Sequence, residues 1–203
     1  MIVIGIVGGV ASGKSVVARM FAEQGGTLID GDEYGHQVLE DEGIKSALRE
    51  RWGQDVFDGE GNVLRQQVGH RVFALTDTGK EDLAFLEGLS HPMIKRKIEN
   101  RLQEISAGAT DRMVILDAAV MLKAGWDKLC EKIVYVDVPR EMRLDRAVAR
   151  GWSPVQFDRK ELSQRDLTEK RRVADYVVDN SGTREQTEAQ VRQFVEVLFA
   201  QSP

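Results

Sequence analysis

Residues 2–7 (IVIGIV) form an unbroken apolar run rich in β-branched side chains, and such a run predicts a strand buried on both faces of a sheet. The period then lengthens. Val16, Val17, Met20 and Phe21 recur at helical spacing, so a first helix is expected from about Lys14 to Gln24, with those four side chains inward and a stop at Gly25-Gly26. Residues 27–30 (TLID) read as a short second strand, followed by Asp32 as the N-cap of another helix.

From Ile44 to Ser106 the pattern is helical, broken by a turn at Asp58-Gly59-Glu60-Gly61-Asn62, with no run that suits a buried strand. Thr78-Gly79-Lys80-Glu81 fits a capping box, Pro92 suits the first turn of a further helix, and Ile94, Ile98, Leu102 and Ile105 give that helix one apolar face. Strand patterns return at residues 112–116 (RMVIL), 132–138 (KIVYVDV) and 175–179 (DYVVD), with a helix over 140–150. A second capping box, Thr183-Arg184-Glu185-Gln186, opens a terminal helix whose Val191, Phe194, Val195 and Leu198 share one face. Strands alternating with helices predict an α/β fold on a parallel sheet.

Composition narrows the class. The 203 residues are 42% hydrophobic and 30% charged, which is neither disordered nor fibrous. A single cysteine, Cys130, leaves no internal disulfide and no paired-cysteine metal motif, so a reducing compartment is expected. The longest apolar stretch is about half a membrane span and is broken by glycines, so no membrane association and a cytoplasmic location are expected. The net charge of −5 argues against a nucleic-acid partner. Its distribution is informative: residues 140–172 hold ten Lys/Arg against six Asp/Glu, a local +4 that leaves −9 for the rest. A basic island in an acidic chain suits a small anionic ligand.

Gly8-Gly9-Val10-Ala11-Ser12-Gly13-Lys14-Ser15 matches G-x-x-x-x-G-K-[ST] between a predicted strand and a predicted helix, as the phosphate-binding loop requires. Glycines permit close phosphate approach, successive N–H groups at a helix N-terminus point at the anion, Lys14 bridges β- and γ-phosphates, and Ser15 ligates Mg²⁺. A chance match in a chain of this length is of order 1%. Asp32 follows the carboxyl end of the second strand, where open α/β sheets bind ligands, and suits acceptance of a hydroxyl proton; capping the next helix explains it equally well. Asp117 ends the apolar run 113–116 in the manner of a carboxylate that orients Mg²⁺. Arg140, Arg143, Arg146 and Arg150 share one arc of their helix, and Arg159, Arg165, Lys170, Arg171 and Arg172 follow. One or two suit transition-state charge, and most are expected on the surface.

Several segments in order resemble the dephospho-coenzyme A kinases: GIVGGVASGKS, IDGDEYGHQVL for the family's D-A-D region, VLRQQVGHRVF, HPMI, YVDVPREMRLDRAVAR, the Gln164 to Lys170 spacing, and ADYVVDNSG. The resemblance implies a three-layer P-loop kinase fold with a five-stranded parallel sheet. It implies a nucleotide core at 1–36 and 108–203, a helical acceptor-binding insertion at 37–107, and a lid at 148–170. It implies transfer of the γ-phosphoryl of ATP, with Mg²⁺, to the ribose 3′-hydroxyl of dephospho-coenzyme A. The small-molecule substrates are the expected partners, and a monomer is the favoured state.

The catalytic residues so implied are Asp32 as base, Lys14, Arg146 and Arg150. Gly8, Gly9, Ala11, Ser12, Gly13, Lys14, Ser15, Val16 and Asn180 would line ATP, and Ser15 and Asp117 the metal. Ala11 stands where the family usually has Gly, and Gly31 replaces the middle Ala of D-A-D, a change expected to be neutral. Residues 117–123 (DAAVMLK) replace a segment usually reading P-L-L, an aromatic and Glu, so Lys123 reverses a charge. Two other readings share the same core motif: another small P-loop nucleotide or nucleoside kinase, and an ATP-binding module without catalysis.

Overall fold

The computed structural model describes residues 1–108, 112–164 and 166–200. It divides into two compact units, one comprising Met1–Gly31 with Asn100–Pro203, the other Asp32–Glu99.

The first unit is built on strands β1 (Ile2–Gly8), β2 (Gly26–Asp30), β3 (Met113–Asp117), β4 (Lys132–Asp137) and β5 (Tyr176–Asp179), ordered β2-β3-β1-β4-β5 and all parallel. The helices are α1 (Lys14–Glu23), α2 (Gly31–Val38), α3 (Glu42–Trp52), α4 (Arg65–Val72), α5 (Asp77–Gly108), α6 (Met121–Ala124), α7 (Arg140–Ala149), α8 (Pro154–Leu162), α9 (Leu167–Arg172) and α10 (Arg184–Ala200). β1 lies between β3 and β4 and is sealed on both faces, which is why its run is continuously apolar.

On one face Ile4 and Ile6 join Met113, Ile115, Val134, Val136 and Val178 beneath α1 and α10. There Phe21 meets Phe194 edge to face with ring centroids 5.6 Å apart. On the other face Gly5 has no side chain because none fits: a Cβ there would lie 2.7 Å from Met121 Sδ and 2.8 Å from Cys130 Sγ. Covered on both sides, the sheet is the middle of three layers.

The second unit is helical and contains no strand, only an isolated bridge between Phe57 and Val63. The expected turn forms around Asp58, whose Oδ1 accepts from the backbone N–H groups of Glu60 at 2.9 Å and Asn62 at 2.8 Å. Those bonds favour the carboxylate and hold its pKa low. Trp52 packs edge to face on Phe85, and Arg51 pairs with the buried Asp82 at 2.7 Å.

Four local expectations fail. Val16 faces out of α1 and its inward place is taken by Ala18, because Val17, Ala18, Met20 and Phe21 form the buried stripe. Asp32 is not an N-cap but lies inside the first turn of α2. α5 begins one residue before Thr78, and Thr76 Oγ1 caps it by accepting from Gly79 N–H at 3.0 Å. Pro92 starts no helix; α5 runs through it. The residue four positions earlier, whose carbonyl the proline ring crowds, is the side-chain-free Gly88, and Ser90 Oγ donates to the carbonyl of Leu86 at 2.8 Å. The capping box at Thr183 and Gln186 forms in both directions, at 3.3 and 2.9 Å. No helix among the described residues is long and apolar enough to cross a membrane.

Phe21→Ala is expected to cost about 3–5 kcal/mol in urea unfolding, because the Phe194 ring loses its partner and the cavity lies in the sheet core. Thr76→Ala, which removes one cap, is expected to cost about 1 kcal/mol in the same measurement.

Candidate active site

The loop from Gly8 to Ser15 leaves the carboxyl end of β1 and enters α1, as the motif requires. Gly13 sits at φ 88, a left-handed conformation, and a Cβ there would strike the side-chain amide of Asn180. Ala11 also adopts left-handed φ, at 57, and among the described residues it is the one non-glycine to do so. This strain, about 1–2 kcal/mol, coincides with a side-chain contact: the Ala11 methyl packs against the cluster of Val10, Ala147 and Phe157, together with Leu144 and Trp152. The usual glycine would have neither the strain nor the contact.

The carbonyls of the loop are held by side chains. Gly8 O accepts from Lys170 Nζ at 3.0 Å, Gly9 O from Lys14 Nζ at 2.9 Å, and Val10 O from an Arg143 guanidinium nitrogen at 3.2 Å. Ser12 O accepts from Asn180 Nδ2 at 2.8 Å and from Arg146 at 3.4 Å. Ser12 N–H also donates to Gly9 O at 3.3 Å, so the carbonyls of Gly8, Gly9, Val10 and Ser12 are all engaged and the segment is held in one shape. The N-terminus of α1 carries no side-chain cap and no acidic residue in its first turn, so its positive end is left to a ligand. Ser12 Oγ is buried without a hydrogen-bond partner among the described residues.

Arg146 anchors the loop at both ends of its guanidinium, donating to Asn180 O at 2.8 Å as well as to Ser12 O. Asn180 accepts from Thr187 Oγ1 at 3.1 Å, which carries the brace into α10. Arg150 is exposed at the C-cap of α7. Arg165 lies outside the described residues. Ser15 and Val16 are exposed in the first turn of α1. Asp117 is buried at the carboxyl end of β3, in register with Ile6 of β1 and Asp30 of β2. Asp32 is in the first turn of α2, where a carboxylate also suits the helix dipole.

Most of the basic island is surface, as expected, with Arg140, Arg150, Arg159, Arg171 and Arg172 exposed, but two of its cations are buried. Arg143 is 3% exposed, with bonds to Val10 O, Val138 O and Glu161, and Lys170 is also 3% exposed. Their signal in the sequence was slight: Arg143 lies four residues before Ala147, on the buried face of α7, and Lys170 six after Gln164, its side-chain partner at 2.7 Å. A methyl at Gly31 would come within 2.8 Å of the Ala118 Cβ, so the glycine fits a space that an alanine would crowd.

The family model for dephospho-CoA kinase matches residues 2–186. A dephospho-CoA kinase of Aquifex aeolicus is 35% identical over 202 residues, covering 96% of each chain. Among solved structures, a Thermus thermophilus protein superposes with TM-score 0.80 at 27% identity, covering 100% of this chain and 98% of that one. A Campylobacter jejuni dephospho-CoA kinase shares the fold, with TM-score 0.70 at 20% identity over 97% and 96% of the two chains.

Gly13→Ala is expected to destabilise the fold by about 1–3 kcal/mol, because it meets both an unfavourable φ and the Asn180 amide. Adding Asn180→Ala is expected to recover part of that loss in a double-mutant cycle of thermal unfolding; strict additivity would mean the two positions do not touch.

Proposed function

The chain belongs to the dephospho-CoA kinase family, and from that membership we propose that residues 8–15 hold the triphosphate of ATP while its γ-phosphoryl passes to the ribose 3′-hydroxyl of dephospho-coenzyme A. The observation that carries this reading is the loop's backbone, with its carbonyls tied to Lys170, Lys14, Arg143, Asn180 and Arg146 and the uncapped start of α1 beside them. Gly8, Gly9, Ala11, Ser12 and Gly13 supply the cradle, and the Lys14 ammonium exchanges its Gly9 bond for β- and γ-phosphate oxygens. Val16 extends the α1 edge of the site, and Asn180 borders the nucleoside while bracing Ser12.

Phosphoryl transfer passes through a loose transition state, so the protein's contribution is placement and charge compensation. Asp32 aligns the acceptor hydroxyl and takes its proton. Arg146 sets the loop for the transferring group, and exposed Arg150, near the start of the expected lid at residues 148–170, answers charge on the phosphates. The acceptor occupies the helical insertion, residues 37–107.

The donor set fits magnesium. The Ser15 hydroxyl and Asp117 carboxylate are hard oxygen ligands, and the described residues contain no cage of three or more His, Cys, Asp or Glu, which suits an ion that takes its other ligands from phosphate and water. Mg²⁺ supplies charge neutralisation on the phosphates when bound.

The test is coupled ADP release with dephospho-coenzyme A against a panel of nucleoside monophosphates. Turnover with the former supports the reading; turnover with a monophosphate alone overturns it. Asp32→Asn is expected to lower kcat by roughly 10²–10⁴ with ATP affinity nearly unchanged. Lys14→Ala is expected to lose both kcat and ATP affinity.

A further inference from the structure

Among the described residues, Lys170 is a lysine removed from water with no carboxylate in salt-bridge contact with its ammonium. Its Nζ donates to the carbonyl of Gly8 at 3.0 Å and to Gln164 Oε1 at 2.7 Å, and both acceptors are neutral. The charged groups facing it are Lys14 from α1, Arg143 from α7 and Glu161 from α8. Two of these repel it. The one carboxylate is already engaged, by Arg143 and by Arg140 Nε at 3.2 Å. A buried ammonium in such company is costly unless an anion joins it. A neutral donor would hold the Gly8 carbonyl at lower cost, so bracing alone does not account for a charged group.

We propose that Lys170 is a positioning residue of the phosphate-binding loop: it fixes the carbonyl of the loop's first glycine from beneath, and its unanswered charge is compensated by the polyphosphate of the nucleotide. The inference rests on the reading of residues 8–15 as the nucleotide site.

A proton linkage follows. Burial, then the charges of Lys14 and Arg143, push the Lys170 pKa down to about 8 in the protein without nucleotide. Polyphosphate favours the charged form and raises that value. Below pH 8 the group is protonated with or without nucleotide and adds no slope. Above it, binding takes up a proton, and affinity falls with rising pH by up to about tenfold per unit.

The experiment is calorimetric titration of the full chain with magnesium-free ADP from about pH 7 to about pH 9.5, in two buffers of different ionisation enthalpy. The expected result is a Kd that is level below pH 8 and rises above it, with proton uptake approaching one per site. Lys170→Gln is expected to weaken ADP about tenfold at neutral pH and to abolish the uptake, whereas Lys170→Arg keeps affinity at both ends of the range. A level wild-type Kd without uptake overturns the proposal, and so does Lys170→Gln with the wild-type Kd and slope. Should Lys170→Gln fail to fold by circular dichroism, the wild-type uptake decides. Unchanged affinity in Lys14→Ala overturns the loop reading and this inference together; affinity lost there but unaltered in both Lys170 variants overturns this inference alone.

Discussion

The constraint on which the site depends is that the backbone carbonyls at Gly8, Val10 and Ser12 are each held by a donor from outside the loop. An isolated glycine-rich turn has many conformations of similar energy, because glycine loses more freedom on ordering than any other residue. Here the ordering is enforced by long side chains reaching in from α7 and α9 and by the amide of Asn180. Strain at Ala11 persists because the surrounding contacts over-determine it.

Those braces are themselves braced. Arg143 donates to Glu161 as well as to Val10 O, and Glu161 also accepts from Arg140, which ties α8 to α7 around the Phe157 ring. Arg171 pairs with Asp137, and Asn180 N–H donates to Asp137 O at 3.0 Å, so α9 and the residue after β5 meet at the last residue of β4. Loss of Glu161 would leave the buried Arg143 charge without its carboxylate, which costs more than the pair contributes, whereas Arg140 and Arg171 are exposed and screened.

The sheet strands were legible because burial on both faces writes a continuous apolar run, and the loop because its spacing is fixed by phosphate geometry. The order of the strands was not legible, since it depends on contacts between distant segments. Pro92 misled because its usual meaning at a helix start was overridden by a long helix with Gly88 four residues before it. Thr78 and Thr76 both offer a capping hydroxyl near the same turn, and only the structure distinguishes them. Arg143 and Lys170 escaped because a buried cation and a solvated one look alike in a charge run. Gly31 was read by itself, whereas its meaning lies in Ala118, which is 87 residues along the chain and crowds the space a methyl would need.

The donors that shape the first fifteen residues come, Lys14 apart, from positions between 143 and 180, and Asn180 is itself held by Thr187. Bonds spanning 133, 134, 162 and 168 residues form only once the long intervening chain has been ordered, so the loop acquires its shape from completion of the sheet and its flanking helices and not from local propensity.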